Sequence, residues 1–286
     1  MQDVLDALWV AVPAIVLISA AVQDVRTREV SDTHWMVMGV TGLLFFAASC
    51  IQEYGAVPVL CHLAVSVVLL SYMLSERFSG WFALPMLLAV VILSVVTTIM
   101  TDSMLSHASV TSLVVFFLFA GMYRVGLLRG GADAKCLMTV AVTYPVIPEV
   151  GPLPLIWDVP YPESLVFGTS VSVLVISLFL SLASCAVLAI HNLCEGRVCS
   201  KMFTTYVIGV DEARDAFVWP VENVRGGCKL FCGTLYEGKD EVLDALSGLG
   251  ENRVAATPMI PFVLPMAIAF ITVSVLGSPL ALLFNV

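Results

Sequence analysis

The 286-residue sequence is 59% hydrophobic and only 12% charged, and its mean hydropathy is +0.99. Soluble domains carry about 25% charged residues, so this composition excludes a water-soluble globular protein and indicates a chain in a lipid bilayer. The net charge of −9 excludes nucleic acid as a partner, because phosphate binding needs a basic surface.

Apolar segments long enough to cross a bilayer recur along the chain, since a transmembrane helix needs about 20 mostly apolar residues. Asp3 and Asp6 precede the first segment where a signal peptide would carry Lys or Arg, so this segment is interpreted as a permanent span. The sequence predicts a polytopic α-helical membrane protein with about eight transmembrane helices, or six if neighbouring segments merge. The eight predicted spans are 7–23, 34–52, 55–74, 82–101, 107–128, 131–147, 165–191 and 258–284.

The basic residues predict the orientation, because cytoplasmic loops concentrate Lys and Arg. Arg26 and Arg28 follow the first span, which places that loop inside and the N-terminus outside. With eight alternating spans, all 13 Lys and Arg lie on the inner side. The opposite loops contain only acidic charges: Glu53, Asp102, Glu149, Asp158 and Glu163. The pattern predicts a multi-pass plasma-membrane protein with an even number of spans.

One long polar region interrupts the apolar segments. Residues 192–257 carry seven Lys or Arg and ten Asp or Glu and predict a small cytoplasmic α+β domain. Residues 202–209 and 216–221 favour strands, Gly226-Gly227 a turn, and residues 239–249 an amphipathic helix. The predicted organisation is a transmembrane core over 1–191, this domain, and a final transmembrane helix within 258–286.

Four cysteines of this polar region form two close pairs, Cys194 with Cys199 and Cys228 with Cys232. Two such pairs can hold zinc, but the spacings C-x4-C and C-x3-C are irregular for a zinc site. We expect reduced thiols, no bound metal and no other cofactor, with zinc as the alternative.

Two aspartates are the candidate catalytic residues. Asp24 ends the first predicted span and Asp133 begins the sixth, so the topology places both at the cytoplasmic boundary. Two carboxyl groups that share a site divide one proton between them, which is what an aspartic protease needs. Gly130 and Gly131 permit close approach of another backbone. In the alternative interpretation, the glycines only separate two spans and each aspartate caps a helix or pairs with an arginine.

Three parts of the chain resemble the archaeal prepilin and preflagellin peptidases, which are membrane aspartic proteases of the GxGD type. The run Asp24-Val25-Arg26-Thr27-Arg28-Glu29-Val30-Ser31-Asp32 is similar to their first motif, and Gly130-Gly131-Ala132-Asp133-Ala134-Lys135 to their second. The tail Thr257-Pro258-Met259-Ile260-Pro261-Phe262 is similar to the entry into their last span.

The resemblance implies that Asp24 and Asp133 are the catalytic pair and that Gly130 and Gly131 shape the turn before the second aspartate. The chain departs from the family where Ala132 replaces the glycine directly before that aspartate. The interval between the aspartates also holds more predicted spans than the compact archaeal members contain. Arg28 and Lys135 are expected either to anchor helices at lipid headgroups or to tune the catalytic pair.

The resulting hypothesis is an endopeptidase that removes basic leader peptides from membrane-inserted prepilin-like or preflagellin-like precursors at the cytoplasmic face. A presenilin-like intramembrane protease is one alternative, although its first aspartate typically follows Tyr, whereas Gln23 precedes Asp24. A proton-coupled transporter is another alternative, and it predicts carboxylates near the bilayer midplane.

Overall fold

The computed structural model describes residues 2–75, 83–128, 130–157, 163–166, 168–225, 228–231 and 238–284. The helices are α1 (Gln2–Thr27), α2 (Asp32–Tyr54), α3 (Ala56–Leu74), α4 (Ala83–Thr101), α5 (Met104–Arg124), α6 (Gly131–Thr143), α7 (Glu163–Val166), α8 (Thr169–Cys194), α9 (Val210–Asp215), α10 (Lys239–Gly248) and α11 (Val263–Leu276). The strands are β1 (Tyr206–Gly209), β2 (Val218–Pro220), β3 (Glu222–Arg225), β4 (Cys228–Phe231) and β5 (Arg253–Pro258). The chain forms two compact units, Met1–Leu178 with Phe262–Val286, and Phe179–Pro261.

Among the described residues, six helices are long and apolar enough to cross a membrane, namely α1 to α5 and α8. The prediction of a polytopic helical membrane protein is thereby confirmed. Apolar side chains lie on the outside of these helices as well as in the core: Leu84 and Ile99 of α4 are exposed, while Trp35 and Phe116 are fully buried. A helix that is apolar all round is typical of a bilayer-embedded protein.

The predicted sixth span, 131–147, is shorter than expected. Helix α6 has 13 residues and a length of about 20 Å, which is less than the roughly 30 Å of a bilayer core. It ends before Tyr144-Pro145, because the residue before a proline is disfavoured in the helical conformation. The end of α6 is buried inside the first unit, where the carbonyl of Val142 accepts hydrogen bonds from His62 Nε2 (2.9 Å) and Ser66 Oγ (3.2 Å).

The predicted eighth span, 258–284, is also shorter than expected. Pro258 is the last residue of β5, and α11 begins only at Val263 and contains 14 residues. The helix ends at Gly277, whose φ of +93° is accessible to glycine and strained for other residues. A 3₁₀-helix, Pro279–Phe284, follows. Helices α6 and α11 are thus both shorter than predicted, and they account for the difference between eight predicted spans and six long apolar helices.

The second unit contains the predicted polar region. Strands β1, β5 and β2 form an antiparallel sheet in that order, with Ile208 opposite Val254, and β3 pairs with β4 in a separate hairpin. Helix α10 lies where a helix over 239–249 is predicted, and its Leu243 and Leu246 are fully buried in this unit's own core. The predicted turn at Gly226-Gly227 lies outside the described residues.

Candidate active site

Asp24 lies near the end of α1 and is only 8% exposed. Its Oδ2 atom accepts a hydrogen bond from the backbone N–H of Val263, the first residue of α11, at 3.2 Å. The first N–H groups of a helix have no partner within the helix and lie at the positive end of its dipole. A carboxylate from α1 therefore caps α11, where Phe262 at the N-cap position provides no side-chain hydrogen bond.

Asp133 lies in the first turn of α6, directly above Gly130 at the N-cap position. A Cβ atom added to Gly130 would overlap Oδ2 of Asp133, so the position of this carboxyl group depends on the absence of a side chain at residue 130. Gly131 differs, since a Cβ there would meet Tyr123 Oη at an ordinary contact distance of 3.5 Å. Of the two predicted site-shaping glycines, Gly130 is the one that lies against the Asp133 carboxyl group.

The two aspartates, 109 positions apart in sequence, are brought close enough for their charges to interact. Helices α1 and α6 both pack against α2 and against α11, which explains how the two carboxyl groups come together. Both candidate residues therefore lie in the first unit, within range of electrostatic interaction.

Ala132, at the position where the peptidases that the motif resembles have glycine, lies within α6 in helical conformation. Alanine has the highest helix propensity of all residues, so the substitution places no strain on the backbone before Asp133. The departure from the family pattern at this position is compatible with the observed site.

Arg28 terminates α1 in a left-handed conformation with φ of 59°. Its backbone N–H donates to the carbonyl of Asp24 (2.9 Å), and its half-buried side chain is close enough to interact electrostatically with the Asp24 carboxyl group. A left-handed conformation at a non-glycine residue stores of the order of 1 kcal/mol or more. The chain thus holds a cation near Asp24 in a strained turn, and the tuning role of Arg28 stays a prediction.

Lys135 is not paired with either catalytic candidate but with Asp32, at 2.5 Å from Nζ to Oδ1. This ion pair joins the start of α6 to the start of α2, and so holds the helix that carries Asp133 beside the turn after Asp24. Asp32 belongs to the first motif, but nothing in the sequence identifies its partner 103 residues away.

Polar residues in the first motif, together with Gln23 just before it, form the hydrogen bonds of the turn between α1 and α2. Gln23 accepts a hydrogen bond from the backbone of Ser31 (3.3 Å), and Thr27 donates to the carbonyls of Gln23 (3.0 Å) and Glu29 (2.9 Å). Ser31 also caps α2 by accepting from Thr33. Their role is structural, and they fix the end of α1 and therefore Asp24.

An apolar groove of about 210 Å³ lies between α1 and α11. Its walls are formed mainly by aliphatic side chains, with Arg26 at one end: Ile18, Ala21, Val22, Val25, Arg26, Leu264, Ala267, Ile268 and Ile271. A groove of this composition between two membrane helices suits an apolar segment rather than a polar ligand.

Cys194 and Cys199 are exposed, Cys228 is described only as part of β4, and Cys232 lies outside the described residues. The absence of a bound metal therefore stays a prediction.

The sequence matches no model of a known protein family and no curated protein.

Proposed function

We propose that this protein is a membrane-embedded aspartic endopeptidase whose catalytic residues are Asp24 and Asp133. The observation that carries the proposal is the approach of these two carboxyl groups, one from the end of α1 and one from the start of α6, to within electrostatic range. Two carboxyl groups so placed do not ionise independently, and one retains a proton while the other is a base.

The proposed reaction uses these two protonation states. The ionised aspartate takes a proton from a water molecule, which attacks the scissile carbonyl carbon, while the protonated aspartate donates a hydrogen bond to the carbonyl oxygen. When the tetrahedral intermediate collapses, the aspartate that took the proton from water gives it to the amide nitrogen, the C–N bond breaks, and the two starting protonation states are restored. The backbone N–H of Val263 donates to the Asp24 carboxyl group, and a hydrogen-bond donor stabilises a carboxylate, so we assign Asp24 the role of the base.

We further propose that the substrates are membrane-inserted prepilin-like or preflagellin-like precursors, cut where a basic leader meets the apolar helix. The motif resemblance supports this substrate class, and the groove between α1 and α11 offers an apolar surface on the two helices that meet at Asp24. The net negative charge of residues 192–257 favours a basic leader. The distribution of Lys and Arg supports cleavage at the cytoplasmic face.

Purified full-length protein in detergent, incubated with a panel of such precursors, tests the activity. We expect cleavage by the unaltered protein, and none by Asp133→Asn, because an amide cannot exchange the proton. The double variant Asp24→Asn/Asp133→Asn should be no less active than either single variant, since residues that act as a unit are not additive. Near-normal cleavage by either single variant would remove the basis for the protease assignment. Proton flux in proteoliposomes that depends on both aspartates would instead favour the transporter alternative.

Labelling of exposed Cys199 tests the proposed orientation separately. A membrane-impermeant thiol reagent should modify it in inverted vesicles and leave it unmodified in intact cells. Modification in intact cells would place residues 192–257 outside.

A further inference from the structure

A cavity of about 310 Å³ lies between the ends of α3 and α5 and the start of α6, all within the first unit. The positions that α6 contributes are 131, 134, 135 and 138, and this spacing places them on one face of the helix. We call it the α5–α6 cavity; it is lined by Tyr72, Met73, Ser75, Phe116, Ala120, Tyr123, Arg124, Gly131, Ala134, Lys135 and Met138.

The α5–α6 cavity is separate from the candidate active site. Asp133 follows Gly131 by two positions, which is about 200° around a helix of 3.6 residues per turn, so the two residues project from opposite sides of α6. Neither Asp24 nor Asp133 lines the cavity. An occupant of the cavity therefore does not compete with the reacting bond of a substrate for the two carboxyl groups.

Two cations border the cavity. Arg124, in the last turn of α5, donates from Nη2 to the Tyr72 hydroxyl at 3.0 Å and has no ion pair within the described part of the chain. Lys135 is paired with Asp32, whose side chain is about half exposed. The described lining itself contains no Asp or Glu. The border thus carries positive charge that an anionic group would balance.

Two phenol hydroxyl groups lie with these cations. The Tyr72 hydroxyl accepts from Arg124, so its own proton is available to an acceptor. The exposed Tyr123 has no hydrogen bond to another described residue, and its Oη lies near Gly131 at the start of α6. Guanidinium, ammonium and hydroxyl groups are donors that suit a phosphate, whose oxygens are acceptors.

The inner wall of the cavity is apolar. Phe116 lies eight residues before Arg124 on α5, or about 12 Å along the helix axis, and is fully buried, while Met138 is 7% exposed. Because α5 is long and apolar enough to cross a membrane and ends at Arg124, the cationic border lies toward the bilayer surface and the apolar wall toward its hydrocarbon core. A phospholipid has the same order of groups, with the phosphate at the surface and the acyl chains below it.

Other occupants match the cavity less well. A free inorganic anion would use the cationic border and leave the apolar wall empty. A basic leader peptide carries the same sign of charge as the border and is repelled by it.

We propose that the α5–α6 cavity binds an anionic phospholipid, with its phosphate at Arg124, Lys135 and the tyrosine hydroxyls and an acyl chain against Phe116. Basic pockets between membrane helices are typical sites for anionic headgroups. The proposal does not depend on the protease activity, and its test measures lipid binding alone.

Native mass spectrometry of the full-length protein in detergent measures this binding. Phosphatidylglycerol should bind. Phosphatidylcholine with the same acyl chains should bind about tenfold more weakly, because its headgroup has no net charge. Glycerol phosphate and inorganic phosphate keep the anion without the acyl chains, and neither should displace the lipid at equal concentration, because they bury no apolar surface.

Variants identify the residues involved. Arg124→Gln removes the charge and keeps a hydrogen-bond donor, and should weaken phosphatidylglycerol binding about tenfold. Tyr123→Phe removes only the hydroxyl and should weaken it about threefold. The matched control is Arg26→Gln, which removes the same charge from an exposed arginine at the end of α1, outside the cavity, and should leave the binding unchanged.

Four outcomes would overturn the proposal. Equal affinity for phosphatidylglycerol and phosphatidylcholine would remove the role of the cations, and equal weakening by Arg124→Gln and Arg26→Gln would show diffuse attraction to the whole basic surface. Displacement of the lipid by glycerol phosphate would assign the cavity to a free anion. Displacement by a precursor peptide would assign it to the substrate.

Discussion

The two ends of α1 carry carboxylates in opposite settings. At the end of the helix, Asp24 accepts from Val263, and nearby Asp32 is paired with Lys135. At the start, the carboxylates of Asp3, Asp6, Glu53 and Glu149 border a cavity with no cationic side chain in its described lining. Carboxylates held by donors of the same chain are positioned for chemistry, whereas the carboxylates at the start of the helix repel one another.

Helix α6 connects the two settings. Its first turn carries Asp133, and Tyr144, directly after its last residue, stacks on Trp9, which lines the cavity at the start of α1. His62 and Ser66 hold the buried end of the helix through the Val142 carbonyl. A change at one end of α6 can therefore be tested for its effect at the other.

The largest expected effect is on the cleavage rate, where Asp24 and Asp6, at opposite ends of α1, should behave differently. Asp24→Asn should lower the cleavage rate by at least about 10²- to 10⁴-fold, the usual contribution of a general base, with the fold retained because Asn also caps helices well. Asp6→Asn, on the same helix, should leave cleavage unchanged. Rate measurements on a precursor decide this, and a large loss with Asp6→Asn would show that the two ends are not functionally separate.

The two adjacent glycines offer the next comparison. Gly130→Ala should displace the Asp133 carboxyl group and lower cleavage by about 10²-fold, a typical result of misplacing a reacting group by an ångström. Gly131→Ala is the matched control, because its Cβ finds an ordinary contact with Tyr123, and it should retain most activity. Equal activity of the two variants would contradict the steric role assigned to Gly130.

His62→Leu tests the connection between the ends. It removes a buried donor from the Val142 carbonyl and leaves Ser109 without its ring partner, so it should destabilise the protein by about 1–3 kcal/mol. Ser66→Ala removes the second donor and should have a smaller effect, about 0.5–1.5 kcal/mol. Thermal unfolding in detergent measures both, and unaltered stability of His62→Leu would show that the end of α6 is held by other contacts.

The smallest expected effects concern the cations near Asp24. Arg28→Gly and Arg28→Ala should both reduce the cleavage rate without abolishing it. Arg28→Gly should be more stable than Arg28→Ala by about 1 kcal/mol, since glycine accepts the left-handed conformation.

Lys135→Ala should lose no more than about 1 kcal/mol of stability, because its ion pair with Asp32 is partly exposed. Unfolding and rate measurements on the three variants test these differences, and complete loss of cleavage in Arg28→Ala would assign Arg28 a direct catalytic role.

The amino-acid sequence alone predicts a helical membrane protein, most of its long helices, and the candidate pair Asp24 and Asp133. These follow from composition, apolar segment length and local motifs, all of which are properties of neighbouring residues. Sequence also indicated α10, because Leu243 and Leu246 have helical spacing.

The helix ends, the long-range pairs and the cavities depend on tertiary packing. The lengths of α6 and α11 depend on where a buried helix end finds hydrogen-bond partners, such as His62 for Val142, and apolar content alone does not show this. The pairing of Lys135 with Asp32 and the capping of α11 by Asp24 join residues more than 100 positions apart. The cavity at the start of α1 likewise combines α1, α2 and the segment after α6. Trp9 has the apolar surroundings of an ordinary core residue in sequence. Only the packing shows that its N–H has no hydrogen-bond partner among the described residues, because the partners of a buried group depend on which distant groups the fold brings within reach.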